Sequence, residues 1–245
     1  MKLLGVTFSA LSLEEVLGML LARPRDEPFA FIVTPNADHL DRLLRNPMLH
    51  AVYDAALLRL FDSRCLAHCV RLLGYIAPPV VTGADLTAAL LPRLAGERAA
   101  VIGLGDAAFA ALCARYPAIG FIRHTPPMGL LHDPAGFAAA MRFVSEADAP
   151  FIFFAVGSPV QELLAHAVMR EGATRGIGLC IGAALEFAAG TRRRAPLWMR
   201  RAGLEWLHRL AQEPRRLAGR YLIRGPRLLA MLLAEVAGIR AKTSR

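Results

Sequence analysis

Asp62 is the residue of this chain most readily given a chemical task. It closes the run Leu57-Leu58-Arg59-Leu60-Phe61-Asp62-Ser63, and a carboxylate at the end of an apolar strand can take a proton from a hydroxyl held in front of it. Asp also caps helices, and a helix is expected to begin near Arg64, so an N-cap is the competing reading. Thr34-Pro35-Asn36 ends another apolar run. Pro35 fixes the turn and leaves a hydroxyl and an amide near one crevice, although ordinary turn chemistry is the stronger reading of these three residues alone. Gly157-Ser158-Pro159-Val160-Gln161-Glu162 follows the most apolar run of all. Amides at a helix start there could hold an anion, with Gln161 facing the crevice, and a helix start without a ligand fits as well. Gly103-Leu104-Gly105-Asp106 could approach a phosphate. Position 108 is Ala where a dinucleotide fingerprint has its third glycine, so a tight strand-to-helix turn is the safer reading.

Metal chemistry finds little support. No Asp-x-Asp occurs, and Glu146-Ala147-Asp148 falls at the end of an expected helix, on the wrong side of a sheet. Cys65, His68 and Cys69 lie close together but have no second cluster to complete a zinc pattern, and the cysteines read as small buried apolar residues on a helix. The four cysteines form no paired framework, as expected of a reducing compartment.

The elements that must position these residues are legible as an alternation. Strands are expected at Phe29–Thr34, Leu57–Phe61, Ala99–Gly103, Gly120–His124, Phe151–Val156 and Gly178–Gly182, most of them apolar throughout, as strands covered on both faces are. A capping box opens a helix at Ser12 with Glu15, and further helices are expected over 37–45, 48–56, 64–74, 84–95, 106–116, 134–148 and 160–172. This is an α/β, Rossmann-like pattern: a mostly parallel sheet with helices on both faces, and ligands beyond the carboxyl ends of the strands. That rule adds Gly182-Ala183-Ala184 to the loops of interest.

After Gly190 the texture changes. Residues 1–190 hold 15 Lys and Arg against 17 Asp and Glu, whereas residues 191–245 hold 14 against 3, so the whole net charge of +9 belongs to the tail. We expect an α/β domain over 1–190 and a basic, amphipathic helical appendage over 191–245. Leu197–Gln212 is expected as one helix carrying Trp198, Trp206, Leu207 and Leu210 among Arg200, Arg201 and Arg209. Another helix starts at Pro214 and a last, apolar one after Pro226. Basic residues mixed with Trp and Leu suit a helix lying in an anionic lipid interface. No signal peptide is evident at the start, and no run reaches the roughly 18 apolar residues of a spanning helix. The longest candidate, Leu228 to Ile239, carries Glu235.

Sugar transfer from a nucleoside diphosphate would need a base, positive charge for the leaving diphosphate, and a pocket. Thr34-Pro35-Asn36, Asp62, Thr82-Gly83-Ala84-Asp85-Leu86, Gly157-Ser158-Pro159-Val160-Gln161-Glu162 and Gly182-Ala183-Ala184-Leu185-Glu186-Phe187 occur in order. Arg194-Ala195-Pro196, Leu204-Glu205-Trp206-Leu207-His208-Arg209-Leu210 and Glu213-Pro214-Arg215-Arg216 follow. Together, from about Gly5 to Leu229, they resemble the WecG/TagA/CpsF glycosyltransferases. The resemblance implies an inverting, metal-independent enzyme with no cofactor beyond its UDP-sugar donor. It would act on a polyprenyl-diphosphate-linked saccharide in surface polysaccharide or teichoic-acid-type assembly, peripheral on the inner face of the cytoplasmic membrane, and homo-oligomers are possible. It implies Asp62 as the base, and Thr34, Asn36 and Gln161 as pocket residues. Asp85, Gly103, Gly157, Ser158, Pro159, Glu162, Gly182 and Arg194 join them as substrate-binding candidates. Arg209 and Arg216 would reach the diphosphate.

The chain departs from the family pattern in places. Asp62-Ser63-Arg64-Cys65 stands where Asp-Gly-x-Gly is frequent, Val80 and Val81 where an arginine is common, and Ala184 or Leu185 where an acid is common, with Glu186 adjacent. These departures bear on the substrate more than on the reaction class. Two alternatives stand beside this reading: an NAD-binding oxidoreductase built on Gly103 and Gly105, and a binding protein whose basic tail is a nucleic-acid arm. The Trp and Leu content of the tail favours an interface over phosphate tracking, and hence no nucleic acid.

Overall fold

The computed structural model describes residues 1–219, 222 and 225–243, with the side chains of Arg216 and of residues 236–243 outside that description. A small antiparallel hairpin, β1 (Lys2–Leu3) and β2 (Val6–Thr7), opens the chain. The main sheet contains β3 (Ala30–Val33), β4 (Leu58–Arg59), β5 (Arg98–Gly103), β6 (Gly120–His124), β7 (Phe151–Ala155) and β8 (Ile177–Cys180). Its order is β4-β3-β8-β7-β5-β6, and every pair is parallel. The α/β reading and its six expected strands therefore stand, with the ends shifted by at most two residues: β5 and β8 begin one residue earlier than expected.

Side chains alternate across the strands, and this builds two apolar layers. Phe31, Val33, Ile102, Phe154 and Cys180 lie in one layer with Leu40, Leu43 and Leu164 of the covering helices. Ile32, Val101, Phe153 and Leu179 lie in the other with Leu86, Leu112 and Leu185. Both faces are dry, so the strands had to be apolar along their whole length.

The segment after Gly190 differs from the expectation at one point. Leu197–Gln212 is not one helix but two, Leu197–Arg201 and Glu205–Gln212. The break falls at Gly203, whose φ is +74° and whose absent Cβ would lie 3.1 Å from the Cys65 amide nitrogen and 3.1 Å from Nδ1 of His68. The chain turns there because it lies directly on the helix Arg64–Leu72. A short helix, Pro214–Ala218, follows, and the last helix is Gly225–Thr243. That helix buries Leu228 and Leu232 in the first layer, which at about 2 kcal/mol for each leucine holds it firmly to the sheet domain. Oε2 of Glu235 accepts a hydrogen bond of 2.8 Å from the Leu4 amide, so the acid inside this apolar helix is a tether to the hairpin. Among the described residues no helix is long and apolar enough to cross a membrane.

Candidate active site

Asp62 lies just beyond β4, where the chain leaves the sheet. Its amide donates to the Pro35 carbonyl at 3.0 Å, which ties it to the loop after β3, and its Oδ2 accepts from the Gly83 amide at 3.1 Å. Gly83 begins the helix Gly83–Leu90. The capping task falls to the next residue: the Ser63 hydroxyl accepts from the Leu66 amide at 3.2 Å. Asp62 is thus not consumed as an N-cap. Burial pushes its carboxyl up from 3.8 to about 7, even though the Gly83 amide and the charges of Arg209 and His39 act in the opposite direction.

A cavity of about 390 Å³ opens in front of Asp62. Asn36, Asp38, Asp41, Ser63, Arg64, Thr82, Arg200, Glu205 and Arg209 supply its polar wall, and Leu66, Cys69, Trp206, Leu228 and Leu229 much of its apolar wall. Cys65 also lines it and is exposed, so the expectation of two buried cysteines is corrected: they stand on the cavity side of the helix Arg64–Leu72. Among the described residues no three His, Cys, Asp or Glu side chains form a group able to hold a metal ion.

The arginines converge on two acids. Asp85 receives Arg194 at 2.7 Å and Arg64 at 2.6 Å, with Arg200 at 3.7 Å. Burial alone would raise Asp85, yet the hydrogen bonds from Arg194 and Arg64 bring it down to about 2. Arg194 also donates to the Thr82 hydroxyl at 3.1 Å. Glu205 meets Arg209 at 2.8 Å and Nε of Arg194 at 3.7 Å. Thr82, Gly83 and Asp85 therefore join the sheet domain to the segment after Gly190, and Gly83 holds Asp62 as well.

The remaining candidates are placed less directly. Asn36 caps the helix Ala37–Arg45, its Oδ1 accepting from the Asp38 amide at 3.0 Å, and it also lines the cavity. Thr34 does not offer its hydroxyl to the crevice: the residue is buried and the hydroxyl donates to the Cys180 carbonyl at 3.2 Å, because the strand end turns it toward β8. Gln161 likewise does not face the crevice. It is 2% exposed, with its amide nitrogen on Glu162 at 2.8 Å and its Oε1 accepting from the Gly182 amide at 3.0 Å. Glu162 is buried as deeply, at 1%.

Gly157, Ser158 and Pro159 precede the helix Val160–Glu171, outside the cavity lining; the Ser158 hydroxyl accepts from Arg42. Gly103 ends β5, where a Cβ would come within 2.9 Å of Val156 and 3.0 Å of the Ala155 carbonyl oxygen. Its glycine serves close packing against β7. The Arg216 side chain lies outside the described residues. Sequence reasoning did not single out Arg64, Arg200 or Glu205 for the site. The only available signals were the place of Arg64 two residues after Asp62 and the spacing of Glu205 and Arg209 one helical turn apart.

Comparison with known proteins bears on this geometry. The model of the glycosyl transferase WecG/TagA/CpsF family matches residues 1–242. A curated relative from Bacillus spizizenii, N-acetylglucosaminyldiphosphoundecaprenol N-acetyl-beta-D-mannosaminyltransferase, is 28% identical over 193 residues, covering 76% of this chain and 73% of its own.

Proposed function

The chain belongs to the WecG/TagA/CpsF family of glycosyltransferases, and on that premise we propose that it moves a sugar of the N-acetylmannosamine or uronic-acid type from a UDP donor to a saccharide carried on a polyprenyl diphosphate. The name of the Bacillus relative supports a lipid-linked acceptor. Family membership replaces the oxidoreductase and nucleic-acid alternatives.

The observation that carries the reading is the meeting, in one cavity, of a carboxyl poised near neutrality with the guanidinium groups of Arg64, Arg200 and Arg209. Asp62, held at about 7, is matched to a general base working at physiological pH. As the acceptor hydroxyl oxygen bonds to the anomeric carbon of the donor, its proton passes to Asp62. The bond from that carbon to the diphosphate oxygen breaks, and UDP leaves with the electron pair. Attack opposite the leaving group inverts the anomeric centre.

Arg64, Arg200 and Arg209 line the cavity, held there by ion pairs of Arg64 and Arg200 with Asp85 and of Arg209 with Glu205. These guanidinium groups suit a departing diphosphate, and with them in place the proposed transfer runs without a divalent ion. Residues 1–190 then act as the catalytic domain and 191–245 as an appendage that completes the site. Arg192 pairs with Glu186 at 3.2 Å and with Glu213, adding to the same junction. The segment after Gly190 exposes Leu197, Trp198, Leu222 and Leu233 as well as Arg193, Arg201 and Arg215, a mixture that suits a peripheral seat on the anionic inner face of the cytoplasmic membrane. The product would enter a surface polysaccharide or a teichoic-acid-type polymer.

A panel of UDP-sugars, offered with and without polyprenyl-diphosphate N-acetylglucosamine, tests the reading. UDP release that depends on that acceptor is expected with an N-acetylmannosamine or uronic-acid donor. Release independent of the acceptor with every donor would contradict it.

A further inference from the structure

The acceptor proposed above is an amphiphile, and the cavity has room only for its polar end. At about 390 Å³ it is near the lower end of the range for one small-molecule ligand. The isoprenoid is joined directly to the diphosphate, so it must leave along one of the cavity walls, and an apolar wall is the one that shields it from water.

Two helices supply apolar wall, and both carry it outward. In the helix Arg64–Leu72, Cys65 and Cys69 line the cavity. Leu72 follows on the same face, about 10 Å along the axis from Cys65, and is 86% exposed. In the helix Gly225–Thr243, Pro226 and Leu229 line the cavity, and Leu233 comes one turn after Leu229. Exposure rises along this stripe too, from 36% at Leu229 to 43% at Leu233. The opposite faces of the two helices are buried in one apolar layer, Val70 on the first and Leu228 and Leu232 on the second. Both helices thus start at the cavity and pack back over the same side of the sheet.

A single leucine in water needs no explanation. Two stripes that begin in one cavity and open to the surface have a direction. Arg64, Arg200 and Arg209 stand at the inner end and leucines at the outer end. A diphosphate followed by a hydrocarbon chain has the same order of charge and apolar surface.

We propose that these stripes are the isoprenoid subsite: the polyprenyl chain of the acceptor leaves the cavity along Cys69 and Leu72 on one side and Leu229 and Leu233 on the other, and passes from there into the bilayer. The assignment rests on the reading that the acceptor is carried on a polyprenyl diphosphate.

Two measurements on the full chain, made in solution without vesicles, test it. The first compares two acceptors, N-acetylglucosamine diphosphate esterified with farnesyl and the same compound esterified with methyl, with UDP-N-acetylmannosamine as donor. The farnesyl ester should exceed the methyl ester by at least about tenfold in kcat/KM, and Leu72→Asp combined with Leu233→Asp should abolish most of that advantage. Both leucines are exposed, so the fold should tolerate the change. Equal use of the two esters by the unaltered chain, or an advantage that the double variant keeps, would overturn the proposal. The second measurement needs no turnover. Leu72→Cys is alkylated with an uncharged maleimide, and its peptide is followed by mass spectrometry apart from those of the native cysteines. The farnesyl ester should slow this labelling and the methyl ester should not; equal rates would overturn the proposal. Stripes that serve the bilayer alone would give neither the preference nor the protection. If the unaltered chain transferred no sugar, the transfer reading would fall, while the labelling would still judge the subsite.

Discussion

Replacing Asp62 by Asn removes a charge that the fold holds at a cost, so the variant should be inactive and more stable. The carboxyl has an ordinary value of 3.8 and is pushed to about 7 by burial. Because the folded form binds its proton more tightly than the unfolded form, the stability that goes with the protonated acid is fully present below 3.8 and is lost as the pH rises through 7. At about 1.4 kcal/mol for each pH unit the full loss is a little over 4 kcal/mol. The cavity admits water, which screens the charge, and about 1–3 kcal/mol is a fairer expectation. Asn cannot ionise and escapes this loss, while its oxygen can still accept from the Gly83 amide. Urea unfolding of both proteins at pH 5 and pH 8 should show the advantage of Asp62→Asn widening toward pH 8. Transfer by the unaltered chain should fall as the pH drops below 7, and the variant should retain less than about a hundredth of it. A stability gap that does not change with pH, or a variant less stable at pH 8, would refute the burial argument.

Three further outcomes follow from the junction with the segment after Gly190. Asp85→Asn should loosen Arg194 and Arg64 together, lowering transfer and thermal stability. Because the Asp85 carboxyl is depressed from 3.8 to about 2, its contribution should be present above pH 4 and fade as the pH falls toward 2, which unfolding curves in acid can follow. Gly203→Ala puts a Cβ against Cys65 and His68 at a φ of +74°; a loss of about 1–3 kcal/mol in unfolding experiments is expected, together with weaker transfer. Reversing the exposed Arg193, Arg201 and Arg215 to Glu should cut binding to vesicles containing anionic lipid by more than about tenfold, at roughly 1 kcal/mol for each basic residue near the surface, while unchanged sedimentation with those vesicles would count against the membrane seat.

Much of the sheet domain was legible because its physics is local. Phe151 to Ala155 is apolar throughout, flanked by Pro150 and by Gly157, and only a strand dry on both faces is written that way. The capping box at Ser12 and Glu15 forms as its spacing implied, with Ser12 bonded to Glu15 at 2.7 Å. What could not be read depends on distant neighbours. Gly203 interrupts an amphipathic pattern that looks continuous, and only the helix Arg64–Leu72 lying against it explains the turn. Thr34 ends a strand as expected, yet β8 beside it captures the hydroxyl. Arg64 and Arg200 approach the same carboxylate of Asp85 from opposite ends of the chain, and neither carries a local signal of that meeting. The two-residue strands of the hairpin are too short to show a period.

The central claim is that Asp62 is the base of a sugar transfer completed by the arginines after Gly190. The most direct measurement is transfer of labelled sugar from UDP-N-acetylmannosamine to polyprenyl-diphosphate N-acetylglucosamine, with the anomeric configuration of the product read by NMR, for the unaltered chain and Asp62→Asn side by side. The account predicts an inverted product from the first and none above background from the second. Equal rates from both, or a product of retained configuration, would contradict it.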